Sequence, residues 1–305
     1  MSKILVTGGS SMVGQHLKKY LKDATYISSK DCDLTDQQAT RDFFGKFKPD
    51  IVIHLAAKVG GIMDNINNAV DFFEQNVFIN TNVVKESFRS GCNKIIATLS
   101  TCIYPDLRTD LEYPLIEAHL HQGPPTDSNF TYGYAKRSMQ VHMDAYNKKH
   151  RTCYSSITPC NLYSEYDHFE GDKAHFVASI LQKVKNYQDG KTKEVSLFGD
   201  GTPLRQFMYA DDLAKAINIL VDAEKPFNYN LCNDENLSIR EIADTVKKSL
   251  DIDFPIYWNA NKPNGQYRKD ASSRKFLSAY SDFEFTSLED GIKLTYEKKF
   301  NIWKK

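Results

Sequence analysis

Short runs of β-branched and other apolar residues alternate, from the start of the chain, with longer stretches in which apolar side chains recur every three to four positions. Residues 4–6, 25–27 and 51–55 read as strands, and residues 12–21 and 36–47 between them as helices. A long helix follows over 72–90, then a strand over 94–99, a helix that carries Tyr132 and Lys136 and ends near His150, and a strand over 154–158. Alternation of this kind calls for right-handed crossovers and a parallel sheet covered by helices on both faces.

After Pro159 the pattern loosens. Residues 161–173 are aromatic and acidic and read as a loop, followed by a helix over 174–187, a strand over 195–198 and the turn Gly199-Asp200-Gly201. Two later helices carry capping boxes, Ser238 with Glu241 and Thr286 with Glu289. The expected fold is α/β, a Rossmann-type doubly wound parallel sheet with a smaller C-terminal α/β lobe. The first domain takes residues 1–163 and a returning segment at about 205–232; the lobe takes 164–204 and 233–305. Such a lobe closes over the carboxyl edge of the sheet, where open α/β sheets bind ligands.

Composition narrows the partners. The chain has 305 residues, enough for a large core, with 39 basic against 39 acidic side chains. That balance gives no pull toward nucleic acid or an anionic membrane and favours a small-molecule ligand. The six cysteines are scattered, without a CxxC pair or a metal-ligand cluster, so no metal site is expected and a reducing cytoplasm fits best. The N-terminus enters a strand-like run directly and no apolar stretch is long enough to span a bilayer, so a soluble, unprocessed protein is expected.

Tyr132 and Lys136 lie four residues apart, one helical turn, and project from one face. A phenol has a reference pKa of about 10, so acid–base work near neutrality calls for a neighbouring cation, and Lys136 is placed to be that cation. In LSTCIYP, Ser100 offers a hydroxyl to a substrate oxygen. Together the three side chains describe carbonyl chemistry. Cys102, two residues on, is an additional acid or base that simple ketone reduction does not need, unless it is an ordinary buried thiol.

Between the first strand and helix, Gly8, Ser10, Ser11, Met12, Val13 and Gly14 form a loop that would bring backbone N–H groups to a pyrophosphate. Ser11 stands where a three-glycine fingerprint has its middle glycine, and a plain tight turn is the bland alternative. At the end of the second strand, Ser28, Ser29 and Lys30 suit a ribose 2′-phosphate better than a free hydroxyl, which favours NADP over NAD. Asp33 and Leu34 lie within reach of an adenine, although Asp33 equally suits a helix N-cap. Ala56 and Ala57 close the third strand with small side chains that let a cofactor pass near the backbone, and Lys58 begins a loop lining the cleft.

The glycine loop, HLAA, STCIYP and the Tyr-Gly-Tyr-Ala-Lys segment resemble the extended short-chain dehydrogenase/reductases of the nucleotide-sugar branch. With AAKVGGI, PCNLY, GTPLRQF and NGQYRK they resemble, over nearly the whole chain, the GDP-L-fucose synthase family, the GDP-4-keto-6-deoxy-D-mannose 3,5-epimerase-4-reductases. The resemblance implies NADPH as cofactor, a GDP-sugar as substrate and a homodimer, for which the two long helices are candidates to pair across a twofold axis. It implies reduction by Ser100, Tyr132 and Lys136, and proton transfer by Cys102 and a histidine. By its place in the motif that histidine is His175, not His168, whereas His16, His142 and His150 read as structural. Reference pKa values of about 8.5 and 6.5 suit a pair in which Cys102 is the base and His175 the acid. Arg205, Arg268 and Lys269 are candidates for the diphosphate, Asn161 for the sugar or diphosphate, and Phe198 for a stack on guanine. Ser164 replaces the glycine that usually follows NLY.

Two other functions compete. One is a C4 reductase or epimerase of another nucleotide sugar, a GDP-heptose or a UDP-hexose, which leaves Cys102 and His175 without a task. The other is a non-catalytic NADP-binding sensor, which has no need of Ser100, Tyr132 and Lys136 together.

Overall fold

A computed structural model describes residues 2–106, 112–171, 174–262 and 266–301. Residues 172–173 at the end of the expected loop, and 264–265 of the NGQYRK segment, lie outside that set. The first half runs β1 (Ile4–Thr7), α1 (Met12–Leu17), β2 (Thr25–Ile27), α2 (Gln37–Phe47), β3 (Ile51–His54), α3 (Ile62–Asn67), α4 (Ala69–Arg89), β4 (Lys94–Thr98), α5 (Phe130–His150) and β5 (Cys153–Pro159). It continues through β6 (Asn161–Tyr163), α6 (Phe176–Gln188), β7 (Val195–Phe198), β8 (Leu204–Tyr209), α7 (Ala210–Leu220) and β9 (Asn228–Leu231). The last elements are β10 (Asn236–Ser238), α8 (Ile239–Leu250), β11 (Ile256–Asn259), α9 (Arg274–Ala279) and α10 (Leu288–Phe300).

Six strands form one sheet in the order β2-β1-β3-β4-β5-β9, every pairing parallel. All four residues of β3 and all seven of β5 are buried, as strands covered on both faces must be. From β1 the chain winds one way to β2 and the other way to β3, so the crevice at their carboxyl ends is the topological switch point. Two smaller sheets, β10-β8-β6 and β11-β7, build the second layer. Leu5, Val52, Ile96, Ile157 and Leu213 belong to the large core; Phe207, Ile180, Val246 and Ile292 belong to a second. Ala271, Phe276 and Phe283 pack into the large core from the C-terminal third.

Several elements differ from the pattern read in the sequence. The first helix ends at Leu17, because the N–H groups of Lys19 and Tyr20 donate to carbonyls three residues back, at 3.1 and 3.0 Å, and tighten the chain out of α geometry. A strand, β6, sits inside the stretch read as a loop; its regularity comes from parallel pairing with β8, which no local period reveals. Residue 175 precedes α6 as its N-cap instead of lying within the helix. The Ser238/Glu241 box is present. The Thr286/Glu289 box is not: Thr286 donates its N–H and hydroxyl to the buried Asp212 carboxylate, each at 2.9 Å, and Ser287 caps α10 by accepting from the Asp290 N–H.

A polar cluster ties α1 to the second layer. The buried His16 ring lies edge-on to Tyr166 and Tyr209, 3.4 Å from Asp211 and 3.7 Å from Glu165. Glu165 accepts from the Tyr209 hydroxyl at 2.8 Å and pairs with Lys298 at 3.2 Å. Among the described residues no helix is long and apolar enough to cross a membrane, and no His/Cys/Asp/Glu group could hold a metal.

Candidate active site

The glycine loop lies at the switch point. Gly8 takes φ +70°, and a Cβ there would meet the Ala56 backbone nitrogen at 2.7 Å. Only glycine permits both the left-handed backbone and the close pass of this loop over the end of β3. Ser11 is not a blemish in the loop: its hydroxyl caps α1 by accepting from the Gly14 N–H at 3.2 Å. Met12 and Val13 open α1, with Val13 in the core, and Ser10 is exposed. Ala56 and Ala57 are half-buried at the same crevice.

At the end of β2, Ser29 and Lys30 are exposed at a hollow that Asp33, Asp42 and Lys46 also line. Asp31 turns back on its own loop, accepting from the Ser28 N–H and hydroxyl at 2.8 Å each, and those bonds hold its carboxyl below the usual range. Asp33 does not cap α2; it accepts from the Thr35 N–H and hydroxyl, while Asp36 caps the helix. Leu34 is buried in the core and its carbonyl accepts from Asn82.

Beyond the carboxyl end of β4 the chain makes a 3₁₀ turn over Thr101–Ile103, with Ser100 as N-cap accepting from the Cys102 N–H at 3.3 Å. The start of α5 presses directly on that turn. A Cβ at Gly133 would lie 2.7 Å from the Cys102 carbonyl oxygen, so the glycine between Tyr132 and Tyr134 makes the approach possible. Arg137 fastens the contact, donating to the Ile103 carbonyl from Nε at 3.1 Å and to Gly123 at 2.9 Å. The helix thereby sets Tyr132 beside Cys102 and Lys136 beneath them.

Lys136 is buried, and its ammonium donates to the Thr98 carbonyl at 2.9 Å; burial lowers its pKa to about 8. Burial, with the Cys102 sulfur nearby, pushes the Tyr132 phenol well above its usual value. The expectation that Lys136 lowers the phenol pKa is therefore corrected: burial and the neighbouring Cys102, rather than Lys136, set the direction of the shift. Below them His54 bridges Thr7 at 2.7 Å and Asn80 at 3.1 Å, held neutral with a pKa of about 3 by burial and by Lys136. Asn80 in turn donates to the Ala135 carbonyl at 3.3 Å, bracing α5 where Lys136 projects.

His175 is half-buried, its Nδ1 at 2.9 Å from the buried Asp167 carboxylate. That hydrogen bond raises the imidazole pKa against the opposing effect of burial. His168 is exposed, so geometry separates the two histidines as the motif did. The Lys269 ammonium is 3.6 Å from the Cys102 sulfur and acts electrostatically on His175. Arg205 is lowered by burial and feels Cys102 as well. Ser100, Cys102, Tyr132, His175, Arg205 and Lys269 are thus linked through Cys102 and Lys269, with Lys136 one helical turn from Tyr132.

The remaining candidates stand apart from that group. Arg268 turns to Asp270 in a two-pronged pair, at 2.5 and 2.9 Å, and stacks over Tyr113. Asn161 donates to the Gln206 carbonyl at 2.8 Å, within β8. Phe198 is exposed at the end of β7 with the ammonium groups of Lys183 and Lys262 over its ring. Lys58 is fixed by paired backbone bonds with Asn76, both at 3.0 Å, and its ammonium lies over Phe72. Ser164 is buried and accepts from the Tyr166 N–H at 3.2 Å, a task glycine could not perform.

Comparison with known proteins places the chain in a family. Residues 4–232 match the model of the NAD dependent epimerase/dehydratase family. The chain belongs to that family. It is 38% identical over 308 residues to a probable GDP-L-fucose synthase of Drosophila melanogaster, covering 96% of this chain and 95% of that one. The GDP-L-fucose synthase of Dictyostelium discoideum is 36% identical, over 95% and 92% of the two chains. The crystal structure of a GDP-L-fucose synthetase from Naegleria fowleri bound to NADP superposes with a TM-score of 0.87 at 34% identity, covering 99% of this chain and 93% of that one.

Within this epimerase/dehydratase frame, the sequence pattern did not disclose Asp167, Thr98 or Asn80. Asp167 stands eight residues before His175 across an irregular loop, where spacing carries no geometric meaning, and Thr98 acts through its carbonyl. Asn80 carried a usable signal, a polar residue on the buried side of an amphipathic helix.

Proposed function

We propose that the chain binds NADPH and converts GDP-4-keto-6-deoxy-D-mannose to GDP-L-fucose, inverting C3 and C5 and then reducing C4. The observation that carries this is Cys102 set against a Ser100/Tyr132/Lys136 reductase set, with His175, held by Asp167, joined to it through Lys269. A plain C4 reductase has no use for the last pair. The relatives named as GDP-L-fucose synthases support the substrate, and the NADP-bound Naegleria structure supports the cofactor.

The residues present fit NADP. The Gly8–Gly14 loop crosses Ala56 at the switch point, Ser29 and Lys30 are exposed where a 2′-phosphate would lie, and Asp31, the acid that would favour NAD, is spent on Ser28. Gly8, Ser10, Ser11, Met12, Val13, Gly14, Ser29, Lys30, Asp33, Leu34, Ala56, Ala57, Tyr132 and Lys136 are the positions assigned to it. When bound, NADPH supplies the hydride that C4 accepts.

The chain's own groups move the protons. The C4 ketone acidifies C3 and C5; Cys102 takes a proton and His175, with its raised pKa, returns one from the opposite face. Hydroxyls of Ser100 and Tyr132 donate to the enolate oxygen. In the last step Tyr132 protonates the C4 alkoxide, and its elevated pKa ensures that the proton is there to give. Phe198, with Lys183 and Lys262, is assigned to the guanine, Asn161 and Arg205 to the sugar and diphosphate.

The proposal includes a two-lobe division, with β6 and β8 counted in the smaller lobe and Ala271, Phe276 and Phe283 in the larger, a cytoplasmic location consistent with free cysteines such as Cys92, Cys153 and Cys232, and a homodimer through α4 and α5. Incubation with the keto sugar and NADPH in D₂O tests the chemistry. Deuterium at both C3 and C5 of a fucose-configured product is expected; a reduced product without deuterium rules it out.

A further inference from the structure

Consecutive residues 268 and 269 face different tasks. Arg268 is committed to Asp270, whereas the Lys269 ammonium lies 3.6 Å from the Cys102 sulfur. A neutral thiol is a weak acceptor, but an anionic sulfur at that distance attracts an ammonium strongly, and a half-buried pocket screens the pair less than open solvent would. The charged groups around the sulfur are Lys269 and Arg205, with the neutral Tyr132 phenol beside it. His175, also influenced by Lys269, has its own carboxylate in Asp167. The site therefore sets a cation beside the sulfur and a carboxylate beside the imidazole.

We propose that Lys269 is the positioning cation of epimerisation, the counter-ion that keeps the Cys102 sulfur anionic and ready to take a carbon-bound proton, with Arg205 as a second positive charge on the same sulfur. This rests on the epimerase-reductase reading of the site and moves Lys269 from the diphosphate to the sugar end. The thiolate accepts the proton from C3 or C5 as the C–H bond breaks, giving a neutral thiol and an enolate. The imidazolium then gives its proton to the opposite face of the same carbon and becomes neutral. Asp167 and Lys269 thus impose the direction of transfer: each stabilises the starting charge of its partner.

The test needs no sugar. In the full-length protein, alkylation of Cys102 by iodoacetamide at neutral pH is followed by peptide mass spectrometry, with buried Cys92 and Cys232 as internal references. Lys269→Met and Lys269→Gln should each slow it about tenfold or more, and Lys269→Arg should restore most of the rate. NADPH binding by each variant confirms its fold. Unchanged alkylation in Met and Gln variants that still bind NADPH overturns the assignment. So does a loss of GDP affinity with unchanged alkylation, which returns Lys269 to the diphosphate. A failed D₂O experiment would refute the epimerase and leave the alkylation result standing, so the two claims fail separately.

Discussion

Lys136 shows the conflict between stability and chemistry within one side chain. Its pKa is lowered from 10.5 to about 8, so the folded protein binds fewer protons than the unfolded chain between those values. Stability contributed by this site is highest above the unfolded value and falls as pH drops toward the folded one, leaving a cost on the order of a few kcal/mol near neutrality. Lys136→Met should therefore abolish C4 reduction while raising the apo protein's melting temperature at pH 7, an advantage that shrinks at pH 10; a destabilised variant would contradict it. His175 has the opposite sign. Its pKa is raised by Asp167, so the stabilisation is complete below the ordinary 6.5 and is lost as pH climbs through the higher folded value. Asp167→Asn should remove that slope from a denaturation series across pH and slow epimerisation more than reduction, which a substrate already inverted at C3 and C5 would isolate.

At the scale of elements, the decisive contact is α5 against the 3₁₀ turn of Cys102, and it depends on the absence of one methyl group. Gly133→Ala places a Cβ 2.7 Å from the Cys102 backbone oxygen and 2.9 Å from the Pro125 ring. A cost of about 1–3 kcal/mol in stability is expected from the overpacking. Activity should fall further, by about 100-fold, because shifting α5 displaces Tyr132 from the reacting carbonyl; unchanged kcat would show that the approach is slack. Five of the six strands of the large sheet were legible as short apolar or β-branched runs between turn signals, as in Ile51–His54. The sixth, β9, with the sequence Asn-Tyr-Asn-Leu, carries no such run and was not legible. Tyr132 and Lys136 were legible too, since their helical spacing is a geometric fact. What stayed hidden depended on pairing at long range: β6 needs β8, Thr286 is diverted from capping by Asp212, and the phenol's upward shift follows from burial that no spacing reports.

The whole molecule carries one feature that the monomer does not use. Helix α4 buries Val83 and Val84 in the large core and Phe72 against Tyr132 of α5, yet exposes Val70, Phe73 and Phe78, and its neighbour α5 exposes Phe130, Tyr134 and Val141. A helix apolar on two sides is packed on two sides, and contiguous apolar surface of this kind marks an association site. The sequence shows the helices but not this second face, since inner and outer apolar positions interleave along the same turns. Two copies related by a twofold axis would lay these faces together, each helix pair completing a four-helix layer. Phe78→Glu combined with Val141→Glu changes only exposed positions, so the fold should lose no more than about 0.5 kcal/mol per site. Light scattering should then report 34.9 kDa for the double variant and twice that for the unaltered chain. An unaltered chain that runs as a monomer at micromolar concentration would leave the outer face without this partner, and an intact dimer in the double variant would place the interface elsewhere.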